Sequence, residues 1–260
     1  MKGAIIGDIV GSRFEKNNYK GTDFTLFDPA CRYTDDTVLT VAIAAAILED
    51  ESYEKEVKKF ALAHPLAGYG GTFKQWMLGI KKGPYNSWGN GSAMRVSPVG
   101  FAFAKEVEVL QEAEKSAAIT HNHPEGIKGA QAIALGVWMG KQGFNKPQIK
   151  ARIEEQFGYD LNRSVAEIRP HYTFDVSCQG SVPEAIIAFL EGENFEQIIR
   201  LAVSLGGDTD TIASMAGALA EAYYQEIPAE MWTSAQAYLP KSFLPLIQAF
   251  YEMYGYKQTK

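Results

Sequence analysis

The stretch LGGDTDTIASMAGALAEAYY, Leu205 to Tyr224, decides how the rest of the chain is read. Two glycines precede two acids, Asp208 and Asp210, which flank a threonine. A run of small apolar residues follows, with apolar positions on nearly every face. That pattern predicts a helix enclosed by others rather than a surface helix with one apolar stripe. Two carboxylates so close together at its mouth repel each other and lose hydration, so something must compensate.

The arrangement occurs twice. RYTDDTVLTVAIAAAI places Thr34, Asp35, Asp36 and Thr37 ahead of another helix of small residues, about 170 residues earlier. Capping is the simplest explanation, because Asp and Thr favour helix N-termini and the dipole stabilises an anion there by ~0.3–1 kcal/mol. One cap needs one side chain, however, and two clusters with four carboxylates exceed that need. A hard divalent cation such as Mg²⁺, which takes oxygen ligands, resolves the repulsion. Four Asp with Thr hydroxyls or carbonyls have the donors for two ions, which in binuclear sites stand about 3.5–4 Å apart. Ala42 and Ala44 to Ala46 after one cluster, and Ala213, Ser214, Ala216 and Gly217 after the other, are expected to let these two helices approach closely.

Composition sets the frame. The 260 residues are 46% hydrophobic and 22% charged, ordinary values for a folded globular chain. A net charge of -6 argues against nucleic acid as the main partner. Cys31 and Cys178 are too few for a disulfide framework, and read as reduced, buried thiols of a cytoplasmic protein. Neither a signal peptide nor an apolar stretch of membrane-spanning length is present, and the sequons at Asn90 and Asn162 read as chance matches.

Helical signals dominate. Thr37 to Asp50, Glu125 to Gly140 and Thr211 to Tyr224 are the apolar helices. Ser52 and Asn194 are N-caps of amphipathic ones, and Phe195, Ile198, Ile199, Ala202 and Leu205 form one stripe. Pro228 suits a first helical turn, and KSFLPLIQAFYEMY a closing helix. KGAIIGDIVG is open to strand or helix on propensity alone, and no alternating β-α register follows it. Segments 68–71 and 87–92 read as glycine-rich loops, and the polar stretch 145–175 as a surface excursion. No linker divides the chain, so a single mostly α domain over residues 1–260 is expected.

Three further fragments carry chemistry. GDIVGSRFE holds Asp8 and Glu15, with Gly7 and Gly11 allowing close backbone approach. GNGSAMR, Gly89 to Arg95, offers backbone N–H groups in a turn of the kind that binds phosphates. THNHPEG holds His121 and His123, which lack the other ligands of a zinc site and read equally as caps or surface residues.

In order, GDIVGSRFE, YTDDTVLT, GNGSAMR, THNHPE and GGDTDTIASMAGA resemble the motif series of the ADP-ribosylglycohydrolases, over residues 7 to 217. The resemblance implies an all-α fold, a compact orthogonal helical bundle with a central binuclear site for two Mg²⁺ or Mn²⁺. It implies Thr34, Asp35 and Asp36 as metal ligands from one side, and Asp208, Asp210 and Thr211 from the other. Glu15 matches the family's acid near the metals, and Glu15 or Asp35 would be the catalytic acid or base. The loop of Gly89, Asn90, Gly91, Ser92, Ala93, Met94 and Arg95 would hold the diphosphate, and His121 would touch ADP-ribose. It also implies that AIIGDIVGS is helical. The implied reaction hydrolyses the bond between ADP-ribose and a protein side chain or small acceptor, in a monomer or small homo-oligomer without membrane contact. Phe174, Tyr172 and Trp88 are candidates to stack on adenine, against a core role.

Three other readings compete. DTDTI resembles the nucleophile motif of haloacid-dehalogenase-type phosphatases, which requires an apolar strand before the first Asp. Here the preceding segment, Asn194 to Leu205, has helical period. An isoprenoid-synthase-like reading needs a second acid one turn after Asp35–Asp36, and finds Thr, Val and Leu. A non-catalytic ADP-ribose-binding relative would be expected to have lost metal ligands, yet all four aspartates are present.

Overall fold

The computed structural model describes residues 1–256 and is built of helices. The first are α1 (Lys2–Gly11), α2 (Asp35–Glu49), α3 (Tyr53–Ala63), α4 (Gly71–Met77) and α5 (Gly91–Met94). Next come α6 (Ser97–Ala102), α7 (Glu106–Ala118), α8 (Pro124–Lys141), α9 (Lys146–Phe157) and α10 (Val165–Ile168). Then follow α11 (Cys178–Glu191), α12 (Phe195–Ser204), α13 (Thr209–Tyr224), α14 (Ala229–Gln236) and α15 (Phe243–Tyr254). Among the described residues the only β pairing is an isolated bridge between Gly89 and Ser177, so the sheet that a dehalogenase-type phosphatase needs is absent.

KGAIIGDIVG, ambiguous by propensity, is α1. Its glycines each cost about 1 kcal/mol in a helix relative to alanine, and tertiary packing has to offset that. A Cβ on Gly3 would lie 2.1 Å from the Gly217 carbonyl oxygen, one on Gly7 2.0 Å from that of Ala213, and one on Gly11 2.4 Å from that of Thr209. Partners descend along α13 as they ascend along α1, so the two helices run antiparallel with backbone against backbone. Every residue from Gly3 to Gly11 is buried. The small residues of α13 therefore serve its contact with α1, which corrects the expectation that they bring α2 and α13 side by side. α2 meets α13 near their N-termini, where Thr211 Oγ1 stands 3.3 Å from Asp36 Oδ2.

Gly206 and Gly207 both have left-handed backbones, φ +72° and +69°. A side chain would be strained at either position, and the pair turns the chain from the end of α12 into the start of α13. The Gly207 N–H donates to Asn18 Oδ1 at 3.1 Å, which fixes the turn.

The helix caps follow the sequence. Ser52 accepts from the Lys55 N–H at 3.1 Å and Asn194 from the Gln197 N–H at 2.9 Å. The stripe of α12 is buried against α13 and α11. The segment 145–175 differs from its expected excursion. Ile149, Ile153 and Phe157 on α9, and Val165 and Ile168 on α10, are buried in the hydrophobic core. One apolar residue per turn anchors a helix whose composition is otherwise polar.

Candidate active site

Three helices converge on a group of carboxylates. Thr34 is the N-cap of α2, and its hydroxyl accepts from the Asp36 N–H at 3.3 Å. Asp8 projects from α1 onto the same helix end. Its Oδ2 accepts from the Thr34 N–H at 2.9 Å, from the Thr37 N–H at 3.1 Å and from the Thr37 hydroxyl. Its Oδ1 accepts from the Thr34 hydroxyl at 2.7 Å. An anion on the neighbouring helix thus satisfies the open N–H groups of α2, which frees Asp35 and Asp36 from capping.

At the other helix mouth, Asp208 is the N-cap residue of α13 but makes no cap hydrogen bond. Its Oδ2 accepts instead from Asn90 Nδ2 at 2.7 Å. Asp8, Asp36 and Asp210 each present a carboxylate oxygen within 4.8 Å of the others, and all three are buried. Among the described residues none of Asp8, Asp35, Asp36, Asp208 and Asp210 is in an ion pair. Asp36 Oδ1 is buried with no hydrogen-bond partner. Two unit charges at such a separation repel by about 3–4 kcal/mol at an effective dielectric constant near 20.

The consequence shows in the acidities. Burial raises the carboxyls of Asp36 and Asp210 well above their ordinary range. The charges of Asp8, Asp35 and Asp208 push Asp36 further, and those of Asp208, Asp36, Asp8 and Glu15 push Asp210. Asp35, open on one side to a pocket, is raised to about 7 by burial, then by Asp8, Asp208 and Glu15. Burial also raises Asp208, with the Asn90 hydrogen bond opposing it. A buried, all-oxygen donor set with no counter-charge and with Asp36 Oδ1 left without a partner fits a hard cation.

Above the acids lies a cavity of ≈ 590 Å³. Glu15, Asp35, Asp36, Asp208, Asp210 and Thr211 form its floor, and Gly89, Asn90, Gly91, Met94, Arg95 and His121 one wall. Glu15 stands 3.5 Å from Arg32. Two residues of the GNGSAMR loop, Ser92 and Ala93, are buried and do not border the cavity; the Ser92 hydroxyl donates to the Gly126 carbonyl at 2.7 Å. Thr34 is likewise buried behind the floor rather than on it. Arg95 is fully buried, with Nη2 donating at 2.9 Å to both the Ser116 carbonyl and the Thr120 hydroxyl.

His121 and His123 part company. His123 is the N-cap of α8, its Nδ1 accepting from the Glu125 N–H at 3.1 Å, whereas His121 reaches the cavity. Trp88 and Phe174 stand on the cavity rim, 47% and 55% exposed, so neither is a core residue. Tyr172 is packed against the core, its hydroxyl donating to the Gly180 carbonyl at 2.9 Å. Sequence reasoning singles out Asp8 only as an acid between glycines and misses its place among the carboxylates. The available signal was Thr37, a second hydroxyl beside a helix mouth that Thr34 already caps.

Comparisons with known proteins agree with this geometry. The family model described as ADP-ribosylglycohydrolase matches residues 1–258. The chain is 27% identical to the human protein named ADP-ribosylhydrolase ARH3, covering 92% of this chain and 88% of that one. The mouse ARH3 protein is also 27% identical, over 89% of this chain and 85% of its own length. A solved structure titled ADP-ribosylglycohydrolase-related protein complex superposes with a TM-score of 0.72 at 27% identity, covering 96% of this chain and 95% of that chain. With the family model matched over residues 1–258, the chain belongs to the ADP-ribosylglycohydrolase family.

Proposed function

We propose that this protein is a metal-dependent hydrolase that cleaves the bond between ADP-ribose and an acceptor, a modified protein side chain or a small conjugate. The carrying observation is the convergence of Asp8, Asp35, Asp36, Asp208 and Asp210 without a counter-charge beneath a cavity, in a chain of this family. Asp35, Asp36, Asp208, Asp210 and Thr211, with Thr34 behind them, are the residues we assign to two Mg²⁺ or Mn²⁺ ions. When bound, such ions hold ribose hydroxyls and acidify a water.

The chain's own residues do the remainder. The anomeric carbon develops oxocarbenium character as the bond to the acceptor breaks, so a nearby carboxylate stabilises it and a proton must reach the leaving group. Asp35 borders the cavity floor and is one acid or base. Glu15, bordering the same floor, is the second acid or base. Asn90 holds one oxygen of Asp208 and so orients the other toward the floor. The Gly89–Gly91 backbone and His121 form the wall for the diphosphate, and Trp88 and Phe174 offer faces for adenine at the rim.

The test is a release assay with arginine-linked, serine-linked and O-acetyl ADP-ribose as substrates. Free ADP-ribose should form from at least one of them with Mg²⁺ or Mn²⁺ and stop on adding EDTA. No release from any of the three in either metal would favour a non-catalytic ADP-ribose-binding module.

A further inference from the structure

The wall of the cavity contains a buried cation with no acid beside it. Arg95 is 0% exposed, no carboxylate lies within ion-pair distance of it among the described residues, and its Nε and Nη1 have no hydrogen-bond partner. Only Nη2 is satisfied, by the Ser116 carbonyl and by Thr120 Oγ1, both at 2.9 Å. The same Thr120 oxygen lies 2.7 Å from Nδ1 of His121. Arg95 and Thr120 are fully buried and His121 nearly so.

Donor bookkeeping sets the first link of this chain of contacts. A guanidinium only donates, so Thr120 Oγ1 accepts from Arg95. The hydroxyl keeps its proton and a second lone pair, so it can either donate to His121 Nδ1 or accept from it. Electrostatics selects the first, since the Nδ1 lone pair then faces the Arg95 charge and an Nδ1–H would oppose it. Burial, with Arg95 adding to it, also holds His121 well below its usual acidity range, so the ring stays neutral. The single ring proton therefore sits on Nε2. That nitrogen makes no hydrogen bond among the described residues and looks across Gly91, where a Cβ would stand only 3.2 Å away. Glycine there leaves the N–H edge uncovered.

We propose that Arg95 and Thr120 are positioning residues which lock His121 as a neutral Nε2–H donor, aimed at an acceptor oxygen of bound ADP-ribose. His121 then acts as a fixed hydrogen-bond donor in binding, not as a proton carrier or a metal ligand. The inference rests on the proposed ADP-ribose site for the identity of the ligand, but not for the tautomer.

Two readouts separate these. Long-range ¹H–¹⁵N spectra of the ligand-free protein resolve the imidazole nitrogens of its 4 histidines, with the His121 signals identified by their loss in His121→Gln. The expected pattern for His121 is a single Nε2-protonated ring, and an Nδ1-protonated or doubly protonated ring overturns the inference. Calorimetry with free ADP-ribose supplies the second readout. Thr120→Val removes the hydroxyl and leaves only the Arg95 charge, so a measurable Nδ1-protonated fraction should appear and ADP-ribose should bind about tenfold more weakly, the loss of one oriented hydrogen bond. Thr120→Ser keeps the hydroxyl and should restore both. Wild-type tautomer and affinity in Thr120→Val, or a Ser variant as impaired as the Val variant, refutes the positioning role. If the wild-type protein fails to bind ADP-ribose, the proposed function falls while the spectra still decide the tautomer.

Discussion

Replacing Asp35 by asparagine should stabilise the metal-free protein, and more so at high pH. In the folded chain Asp35 stands at about 7, against about 3.9 for an unfolded aspartate. A carboxyl raised on folding is neutral in both states at low pH and carries no penalty there. The penalty grows as pH rises from ~4 to ~7 and is constant above, so stability is lost across that window. Three pH units at ~1.4 kcal/mol each give ~4 kcal/mol, and the water in the cavity to which Asp35 is open reduces this to ~2 kcal/mol. Asparagine cannot ionise and escapes the penalty. In EDTA the variant should exceed wild type by under ~1 kcal/mol at pH 5 and ~2 kcal/mol at pH 8. For a chain of this size the latter is ~4–8 °C in Tm. Distant groups common to both proteins cancel in the difference, whereas Asp36, which the Asp35 charge pushes upward, is relieved as well. Adding Mg²⁺ at pH 8 should reverse the order, because only wild type keeps the full ligand set. Thermal melts by circular dichroism suffice. An asparagine variant no more stable than wild type at pH 8, or one whose advantage is equal at both pH values, would refute the reasoning.

Other substitutions probe the frame and the rim. Asp8→Asn presents one acceptor oxygen and two new donors to four converging donors, and should cost ~3 kcal/mol in denaturant unfolding while weakening Mn²⁺ affinity. Gly7→Ala puts a methyl 2.0 Å from the Ala213 carbonyl, and should cost ~3 kcal/mol or more by forcing α1 off α13, with insoluble expression as the first sign. Trp88→Ala, at an exposed rim position, should leave Tm within about 1 °C and raise KM for the ADP-ribosylated substrate.

Much of this was legible in the chain because one physical conflict appears twice in it. Thr34–Asp36 and Asp208–Thr211 crowd carboxylates at the mouths of helices too apolar to be exposed, and the structure brings those two mouths together. Helix limits at α8, α12 and α13 followed from caps and apolar period. α1 did not, since its helicity depends on the backbone of α13 lying where three glycines admit it, and local propensity holds no record of that partner. Asp8 was obscure for the same reason. Its four donors come from residues 26 and 29 positions away. The docking of α9 was hidden by polar composition around Ile149, Ile153 and Phe157. Neither could the loop's sequence tell that Ser92 and Ala93 turn inward while Gly89 and Gly91 face the cavity.

Anomalous diffraction from crystals grown with Mn²⁺ tests the central claim most directly, because it locates the cation without relying on any substrate. Strong peaks bonded to oxygens of Asp36 and Asp210, at the floor of the cavity, are the predicted result. Crystals with Mn²⁺ only on surface carboxylates, and the floor filled by ordered water or a displaced side chain, would contradict the account.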